Sequence, residues 1–354
     1  MPMLEGKVDA VIGSTPTATP TPPRSWTPTV AWSPGWRSQA AKPATRRCWA
    51  SSPNRRRAAA AWALEGSGCY GAGLASFLAD HGEWVVEVDR PKRPRGRNGA
   101  NSDPLDAIRA GREALSRQHL ACPRQRGHRE ALRVLQLARS GAVKVAADAR
   151  RHLKALLVTA PEPLRQSLRK GTWLVQARAC AALQADPAAP VEDRATMRAL
   201  RLTAERAPSA HAQAQALERE LRALVKAMAP VLLAQPGVGP ITAAQVLISW
   251  SHPGRLRSEA AFAMLAGVAP IEASSGRVVR HRLNRGGDRQ LNRALHTIVM
   301  IRQRFHQTTK RYVARRTGQG KTEREIRRCL TRAVARQLYR LLERTVANAA
   351  AQPA

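Results

Sequence analysis

The stretch AAAAWALEGSGCYGAGLASFLADHGEWVVEVD, residues 58–89, decides the fold of the first half of the chain. It begins with a short apolar run that ends at Glu65 and is followed by two glycines within three residues. Residues 69–80 have the apolar spacing of a helix, which Gly82 closes, and Trp84–Asp89 is typical of a buried strand. The alternation of strand, helix and strand predicts an α/β layer.

The charge of the chain is far from neutral. Its 354 residues carry 59 Lys and Arg against 25 Asp and Glu, which gives a net charge of +34. Such an excess predicts a polyanionic partner, most simply nucleic acid. No apolar run approaches the ~20 residues of a membrane-spanning helix, so no membrane partner is expected. Five scattered cysteines without C-x-x-C spacing indicate a reducing, cytoplasmic compartment and no zinc site.

A stretch rich in Thr, Pro, Ser and Trp interrupts this pattern near the start of the chain. Residues 7–13 are typical of the start of a strand, but residues 14–54 contain so many prolines that neither strand nor helix is expected. One hypothesis is a disordered arm. The other is a frameshifted translation, because codons compatible with residues 13–29, read in a shifted frame, give VDTHSDTHTAAVVDPN, a plausible domain start. The DNA sequence of this region decides between them.

Three carboxylates stand where they would converge on a metal ion. Asp103 precedes Pro104 and is a good N-cap for a helix that runs to about Ser116, and Asp106 lies on the same helical face. Together with Glu65 at a strand end, they would supply the hard oxygen ligands that Mg²⁺ prefers. Helix capping alone also explains Asp103, so the three acids are by themselves a weak signal.

Two long helices are expected in the middle of the chain. Residues 126–160 form one helix with an apolar stripe, and a second is expected at about residues 211–233, where Leu217, Leu221 and Leu224 follow at helical spacing. The two would pair as an antiparallel coiled coil, form a dimer interface, or pack in a bundle within one subunit. Further amphipathic helices are expected at residues 288–300 and 324–339.

Two glycines lie between helices in QPGVGPITAAQ, residues 235–245. Gly237 and Gly239 would let backbone N–H groups face outward at a helix N-terminus and bind phosphate, as in the helix-hairpin-helix element that binds DNA. The alternative is a plain turn in which the glycines supply positive φ angles.

A third motif is AGVAPIEASSGRVVRHRLNRGGD, residues 266–288, in which Ser274 and Ser275 directly precede Gly276. The cations that follow are Arg277, Arg280, His281, Arg282 and Arg285. Guanidinium groups at this density suit the negative charge that develops on a phosphodiester under attack. The alternative is a basic loop that grips phosphates while the serines make a turn.

Taken in order, EGSG at residues 65–68, NSDPLD at 101–106, the glycine motif and the serine motif resemble the DEDD transposases of the bacterial insertion-sequence family one-ten. The resemblance covers residues 55–342. It implies an α/β plus mostly α fold: a remnant RNase H or RuvC-like layer, long coiled-coil helices, and a C-terminal helical domain with a helix-hairpin-helix-like element. The implied domains are 1–54, a disordered or frameshifted start; 55–125, the RuvC-like remainder; 126–234, the coiled coil; 235–345, the transposase domain; and 346–354, a tail.

The resemblance also implies roles for residues. Glu65, Asp103 and Asp106 become the second, third and fourth acids, which bind Mg²⁺, and Ser275 becomes the nucleophile, with Ser274 as the alternate. The DNA-binding residues are Gly237, Gly239, Arg277, Arg280, Arg282 and Arg285. The first acid belongs to the VDTH that this frame does not encode, and Asp9 is a poor substitute. The implied partners are the DNA of element ends and target, a structured guide RNA, and further copies of the chain in a dimer or tetramer.

Three hypotheses follow for function. The leading one is a transposase that exchanges DNA strands through a serine nucleophile. The alternative is a catalytically dead pseudo-transposase that retains only DNA and RNA binding, because the first acid is missing. A Holliday-junction resolvase that uses acids alone would not need Ser275.

Overall fold

The computed structural model describes residues 10–14, 29–32, 60–68, 71–88, 103–117, 119–184, 186–275, 277, 281–284 and 286–350. For residues 10–14, 29–32, 60, 103–105, 283 and 346–350 this description is of the backbone. The chain divides into two compact units, Met1–Gln125 and Arg126–Ala354. No helix among the described residues is both long and apolar enough to cross a membrane.

The first unit contains a four-stranded sheet with helices on both faces. Its elements are β1 (Ala10–Ser14), β2 (Thr29–Trp32), β3 (Ala60–Glu65), α1 (Ala72–Asp80), β4 (Trp84–Val88) and α2 (Asp103–Ser116). The strand order is β2-β1-β3-β4, with β1, β3 and β4 parallel and β2 antiparallel at the edge. The predicted α/β layer, with its helix between two strands, is therefore present in these residues.

The two faces of β3 are covered by different helices, because successive strand residues point to opposite sides of a sheet. Ala61 and Ala63 pack in one buried cluster with Ala110 of α2. Leu64 packs in the other with Leu78 of α1. Glu65, two residues after Ala63, therefore lies on the face that α2 covers.

One expectation for the proline-rich stretch is wrong. Thr29–Trp32 forms β2, although residues 14–54 are predicted to contain no strand. The four residues lie in a short proline-free interval between Pro28 and Pro34 and are β-branched or aromatic at three positions. An edge strand tolerates nearby prolines because one of its sides needs no ladder hydrogen bonds. Residues 15–28 and 33–54 lie outside the described residues, as does Asp9.

The second unit begins with a long helical hairpin. Its elements are α3 (His128–Thr159), α4 (Glu162–Leu168), α5 (Trp173–Ala181) and α6 (Val191–Met228). Arg139 of α3 pairs with Glu218 of α6 at 2.8 Å near one end, and Leu153 of α3 packs in a cluster with Leu200 of α6 near the other. The helices therefore run antiparallel. Of the predicted alternatives, the structure has the pairing within one chain.

The start of α6 differs from the prediction by twenty residues. The sequence pattern placed this helix at about residues 211–233, but α6 begins at Val191 and continues through Pro208. A proline inside a helix removes one backbone hydrogen bond and usually ends the helix. Here Ala204, Ala207 and Ala210 are all buried along the hairpin, so the packing of small side chains holds the helix together across the proline.

The remaining elements form one core with the base of the hairpin. They are α7 (Pro230–Leu233), α8 (Pro240–Trp250), α9 (Glu259–Leu265), β5 (Pro270–Glu272), β6 (His281–Leu283), α10 (Arg289–Phe305), α11 (Gln307–Gly318) and α12 (Glu323–Ala350). Leu132 and Leu221 from the hairpin are fully buried with Phe262 of α9 and Leu295 of α10. The hairpin base and the serine-bearing part of the chain are therefore one packed body.

Candidate functional site

The two serines are carried by a β-hairpin. Strand β5 pairs antiparallel with β6, with Glu272 opposite His281, and residues 273–280 connect the two strands. Ser274 and Ser275 lie in that connection, and both are exposed. Both serines therefore lie at the surface rather than in the core.

Two of the predicted arginines are exposed on the same hairpin, Arg277 in the connection and Arg282 in β6. The structure therefore brings the serines and these two cations together on one element. Arg280 and Arg285 lie outside the described residues.

The base of the serine hairpin is fixed to the end of α9. The last carbonyl groups of a helix have no partner within it and must be satisfied from outside. Here three such carbonyl groups have donors from later in the chain. Asn284 Nδ2 donates to Met264 O (3.2 Å), Asp288 N to Leu265 O (2.7 Å) and Asn292 Nδ2 to Ala266 O (2.9 Å). The segment from the end of β6 into α10 thus serves as the cap of α9.

Two glycines allow this close approach. Gly287 has a φ of 103°, and a Cβ added there would lie 2.5 Å from Leu265 O. Gly267 has a φ of 67°, and a Cβ there would lie 2.9 Å from Gly286 O. Both positions combine a left-handed backbone with a contact too short for any side chain.

Asp288 joins the hairpin base to the core through hydrogen bonds. Its Oδ1 accepts from the N–H groups of Gln290 and Leu291, so it caps α10, and its Oδ2 accepts from Ser249 Oγ at 2.6 Å. Gln245 Nε2 in turn donates to Ser249 Oγ, and both residues are buried in α8. The start of α10 is therefore held from two sides.

The glycine turn before α8 lies against the other half of α10. Gly237 has a φ of 74°, and a Cβ there would lie 2.9 Å from Ile298 O, so the turn needs glycine to pack on the helix. Gly239 has a φ of −101°, which any residue adopts, and its N–H donates to Thr242 Oγ1 at 3.0 Å. Gly237 thus has the positive φ of the plain-turn alternative, whereas Gly239 does not. A phosphate contact for the two glycines stays a prediction.

A buried arginine holds this turn in place. Arg302 of α10 donates from Nε to Pro236 O at 2.7 Å and from Nη1 to Gln337 Oε1 at 2.8 Å. Burial lowers the pKa of the Arg302 guanidinium below its ordinary value.

Helix α10 contacts the base of the serine hairpin at Asp288 and the glycine turn at Ile298. These two residues are ten residues apart, or about 15 Å along a helix. One helix therefore positions both predicted DNA-binding features, and its exposed face carries Arg289 and Arg293.

The predicted acids lie in the first unit. Glu65 ends β3, and Asp106 lies in the first turn of α2, where it pairs with Arg109 at 2.7 Å. The side chain of Asp103 is not among those described, although its backbone begins α2. Among the described side chains no group of three or more His, Cys, Asp or Glu is arranged to hold a metal ion. A metal site that includes Asp103 stays a prediction.

The strand register indicates where a first acid would stand. Ser14, the last described residue of β1, is level with Leu64, the residue before Glu65, in the parallel pair of β1 and β3. Asp9 precedes Ala10, at the opposite end of β1. The residue after Ser14 is Thr15, which has no carboxylate.

The segment that contains the glycine turn and the serine hairpin has known relatives. Residues 229–314 match the family model described as the transposase IS116/IS110/IS902 family. This match supports a transposase of that family. The chain is also 36% identical over 115 residues to a Streptomyces coelicolor protein described as an insertion element IS110 uncharacterized 43.6 kDa protein. That similarity covers 32% of this chain and 28% of the relative.

Sequence reasoning missed the residues that anchor the serine hairpin. Asn284 and Asn292 act on carbonyl groups 20 and 26 residues earlier in the chain, and no local pattern indicates such a contact. The Gly286–Gly287 pair before the helix-capping Asp288 is the one signal that a tight approach to another backbone was needed.

Proposed function

We propose that the protein is a transposase that cuts and rejoins DNA strands through the hydroxyl of Ser275, with Ser274 as the alternate. The serine hairpin carries this proposal. It carries two exposed serines on a base fixed by the cap of α9 and by two obligatory glycines. It also lies inside the residues that match a transposase family model. A nucleophile that must reach a DNA strand needs exposure at its tip and rigidity at its base.

The chemistry proposed is a transesterification. Ser275 Oγ attacks the phosphorus of a DNA phosphodiester, and a bond forms between that oxygen and phosphorus as the bond to one DNA oxygen breaks. The serine proton passes to a base, and the departing DNA oxygen takes up a proton as a hydroxyl. The covalent ester retains the energy of the phosphodiester, so a second DNA hydroxyl can later displace the serine.

Cations of the same hairpin would stabilise the charge that develops on phosphorus. Arg277 and Arg282 are exposed on the element that carries the serines, and Arg280 and Arg285 lie in the same motif. Guanidinium groups present fixed pairs of N–H donors that match phosphate oxygens. In this proposal Gly237, Gly239, Arg289 and Arg293 bind the flanking DNA backbone.

Mg²⁺ is the cofactor proposed for the acids. Glu65 lies on the sheet face covered by α2, the helix that carries Asp103 and Asp106, and a set of carboxylate oxygens suits this hard cation. Bound there, the ion would supply Lewis-acid stabilisation of a phosphate oxygen. Glu65, Asp103 and Asp106 would hold it, and Asp106 would exchange its partner Arg109 for the metal.

A second candidate function is favoured by one observation. Ser14, the last described residue of β1, is level with Leu64, and the next residue in the sequence, Thr15, has no carboxylate, so the chain as written lacks the first acid of the proposed set. Removing one ligand from such a site severely reduces activity. The alternative is therefore a pseudo-transposase that binds DNA and RNA without cutting. The frameshift hypothesis is compatible with both functions. The chain as written lacks the acid, whereas the shifted frame encodes Val-Asp at this point of the sequence.

The proposed partners are the DNA of element ends and target and a structured guide RNA, both of which suit a net charge of +34. We also propose a homo-oligomer, a dimer or tetramer, in which one subunit provides the serine and another provides the acids. Strand exchange needs two cuts in two duplexes, and a symmetric assembly supplies a second copy of each group.

A plasmid recombination assay tests the proposal, with the flanking non-coding DNA of the gene included. We expect background activity for the chain as written, strong activity for the frame-corrected chain, and partial recovery for Thr15→Asp. Ser275→Ala in the frame-corrected chain should reduce recombination by roughly 10⁴-fold or more. Equal activity of the chain as written and the corrected chain would exclude a role for the first acid. Full activity of the Ser274→Ala, Ser275→Ala double variant would exclude the serine nucleophile.

A further inference from the structure

A basic cleft lies at the end of the helical hairpin far from the serine segment along the chain. It has a volume of about 860 Å³ and is formed by α3, α4 and α5. This volume falls within the range of about 300–1,000 Å³ typical of ligand sites. The cleft opens to solvent, since Arg150, Lys154 and Arg169 at its wall are all exposed.

The cleft is lined by cations and no acids. Its basic residues are Arg150, Arg151, Lys154, Arg165 and Arg169. Arg151 is paired with Asp148 and Arg165 with Glu162, so two of the positive charges are already compensated. Arg150 and Lys154 make no ion pair with a carboxylate among the described residues, and Arg169 interacts with Glu162 only through a longer-range charge interaction. Cations without a directly paired acid around a concave surface attract an anion of matching size.

The floor of the cleft is apolar and aromatic. Leu153 and Leu157 are buried there, and Trp173, at the start of α5, is half-buried. The guanidinium carbon of Arg150 lies 6.0 Å from the Trp173 ring centroid, and the His211 ring is nearly perpendicular to the same ring at a centroid distance of 5.5 Å. Nucleic-acid bases stack on indole rings and on guanidinium planes alike.

We propose that this cleft binds an unpaired nucleotide of a nucleic-acid strand, with its phosphates on Arg150, Lys154 and Arg169 and its base against Trp173. Phosphate contacts alone would suit a duplex equally well. An aromatic platform within a cleft favours a base that has left the stack, because a paired base cannot reach it. The site goes beyond the proposed strand exchange, since it uses neither Ser275 nor the acids.

Binding measurements on the full chain test the site directly. All proteins in this experiment also carry Ser274→Ala and Ser275→Ala. The result is therefore the same whether or not the proposed serine chemistry is correct. The probes are fluorescent single strands of about 12 nucleotides, as RNA and as DNA, and a duplex of equal length. The cleft variant is Arg150→Ala, Lys154→Ala, Arg169→Ala. Its matched control, Lys144→Ala, Arg178→Ala, Arg222→Ala, removes three exposed cations from the same hairpin.

We expect the cleft variant to weaken single-strand binding at least tenfold more than the control does. The magnitude of the slope of log K against log salt should fall by about 2, because each of the three lost phosphate contacts contributes roughly 0.7 to it. Duplex binding should change equally in the two variants. Equal losses for single strands would overturn the proposal, because net charge alone would then account for them. Equal weakening of duplex and single strand by the cleft variant would overturn the unpaired nucleotide.

Photochemical cross-linking locates the base. Single strands carrying 5-bromouracil, as RNA or as DNA, are irradiated with the chain, and the linked peptide is identified by mass spectrometry. We expect the link at Trp173 and its loss in Trp173→Leu, with Trp173→Phe retaining single-strand affinity to within about tenfold. The probe that cross-links to Trp173, the RNA strand or the DNA strand, identifies the type of nucleic acid that the cleft binds. Cross-links elsewhere, with none at Trp173, would overturn the proposal.

Discussion

Gly287 shows how single residues of this chain set the position of the serines. Its φ of 103° is open to glycine and strained for every other residue, and Leu265 O occupies the space of a side chain. Because the neighbouring Asp288 donates its N–H to the same carbonyl, backbone strain at Gly287 acts directly on the anchor of the serine hairpin. The precision of the proposed nucleophile therefore depends on a residue with no side chain.

We expect Gly287→Ala to lower the free energy of unfolding by about 2–4 kcal/mol, because a strained φ adds to a backbone clash. The matched control is Gly141→Ala in α3, where nothing lies within 4 Å of the added Cβ. That change should raise stability by roughly 0.5–1 kcal/mol, since alanine favours a helix over glycine. Urea unfolding curves of both variants measure the difference. Similar effects of the two substitutions would contradict the tight approach at Gly287.

At the residue scale the sequence predicts candidate chemistry but not hydrogen-bond partners. Hydroxyls beside a dense group of cations suit phosphate chemistry, and the family resemblance makes Ser275 the predicted nucleophile. No such signal marks Asn284 and Asn292, because an asparagine that satisfies a distant helix end has the same local appearance as one in a loop. Hydrogen-bond partners of this kind are set by tertiary packing, which leaves no periodic signal in the sequence.

At the element scale the helical hairpin is the main support of the second unit. Helix α3 was predictable, since its apolar stripe over residues 126–160 corresponds to His128–Thr159. The early part of α6 was not, because Pro208 conceals a helix whose stability comes from buried alanines. Local propensity governs a prediction, whereas packing along α3 governs the folded chain. For the same reason the short strand β2 was missed between prolines.

Leu200 and Leu202 of α6 provide a matched pair for testing this packing. Leu200 is fully buried against α3 and Leu202 is 48% exposed, although both are leucines two residues apart. We expect Leu200→Ala to cost about 2–5 kcal/mol of unfolding free energy. Leu202→Ala should change it by about 0.5 kcal/mol or less. Both costs should be independent of protein concentration, since the contact lies within one chain. A cost for Leu200→Ala that vanishes on dilution would instead indicate packing between copies.

At the scale of the whole molecule, the chain has an α/β unit that carries the predicted acids and a helical unit that carries the serine hairpin. Sequence motifs predict both groups of residues. They do not specify how the groups meet, because a contact between separate units, or between two copies, is encoded in surface shape and charge rather than in periodicity. The missing first acid also belongs to this scale, since under the proposed function the reading frame would decide whether the molecule cuts DNA or only binds it.

The most direct measurement is a search for the covalent intermediate. The frame-corrected chain is incubated with Mg²⁺ and with DNA and RNA from both flanks of the gene, then denatured, digested and analysed by mass spectrometry. We expect nucleotide mass on the peptide that contains Ser274 and Ser275, its loss in Ser275→Ala, and its loss in Glu65→Gln. Recombination that proceeds with no such adduct, or an adduct that persists when both serines are replaced by alanine, would contradict the account.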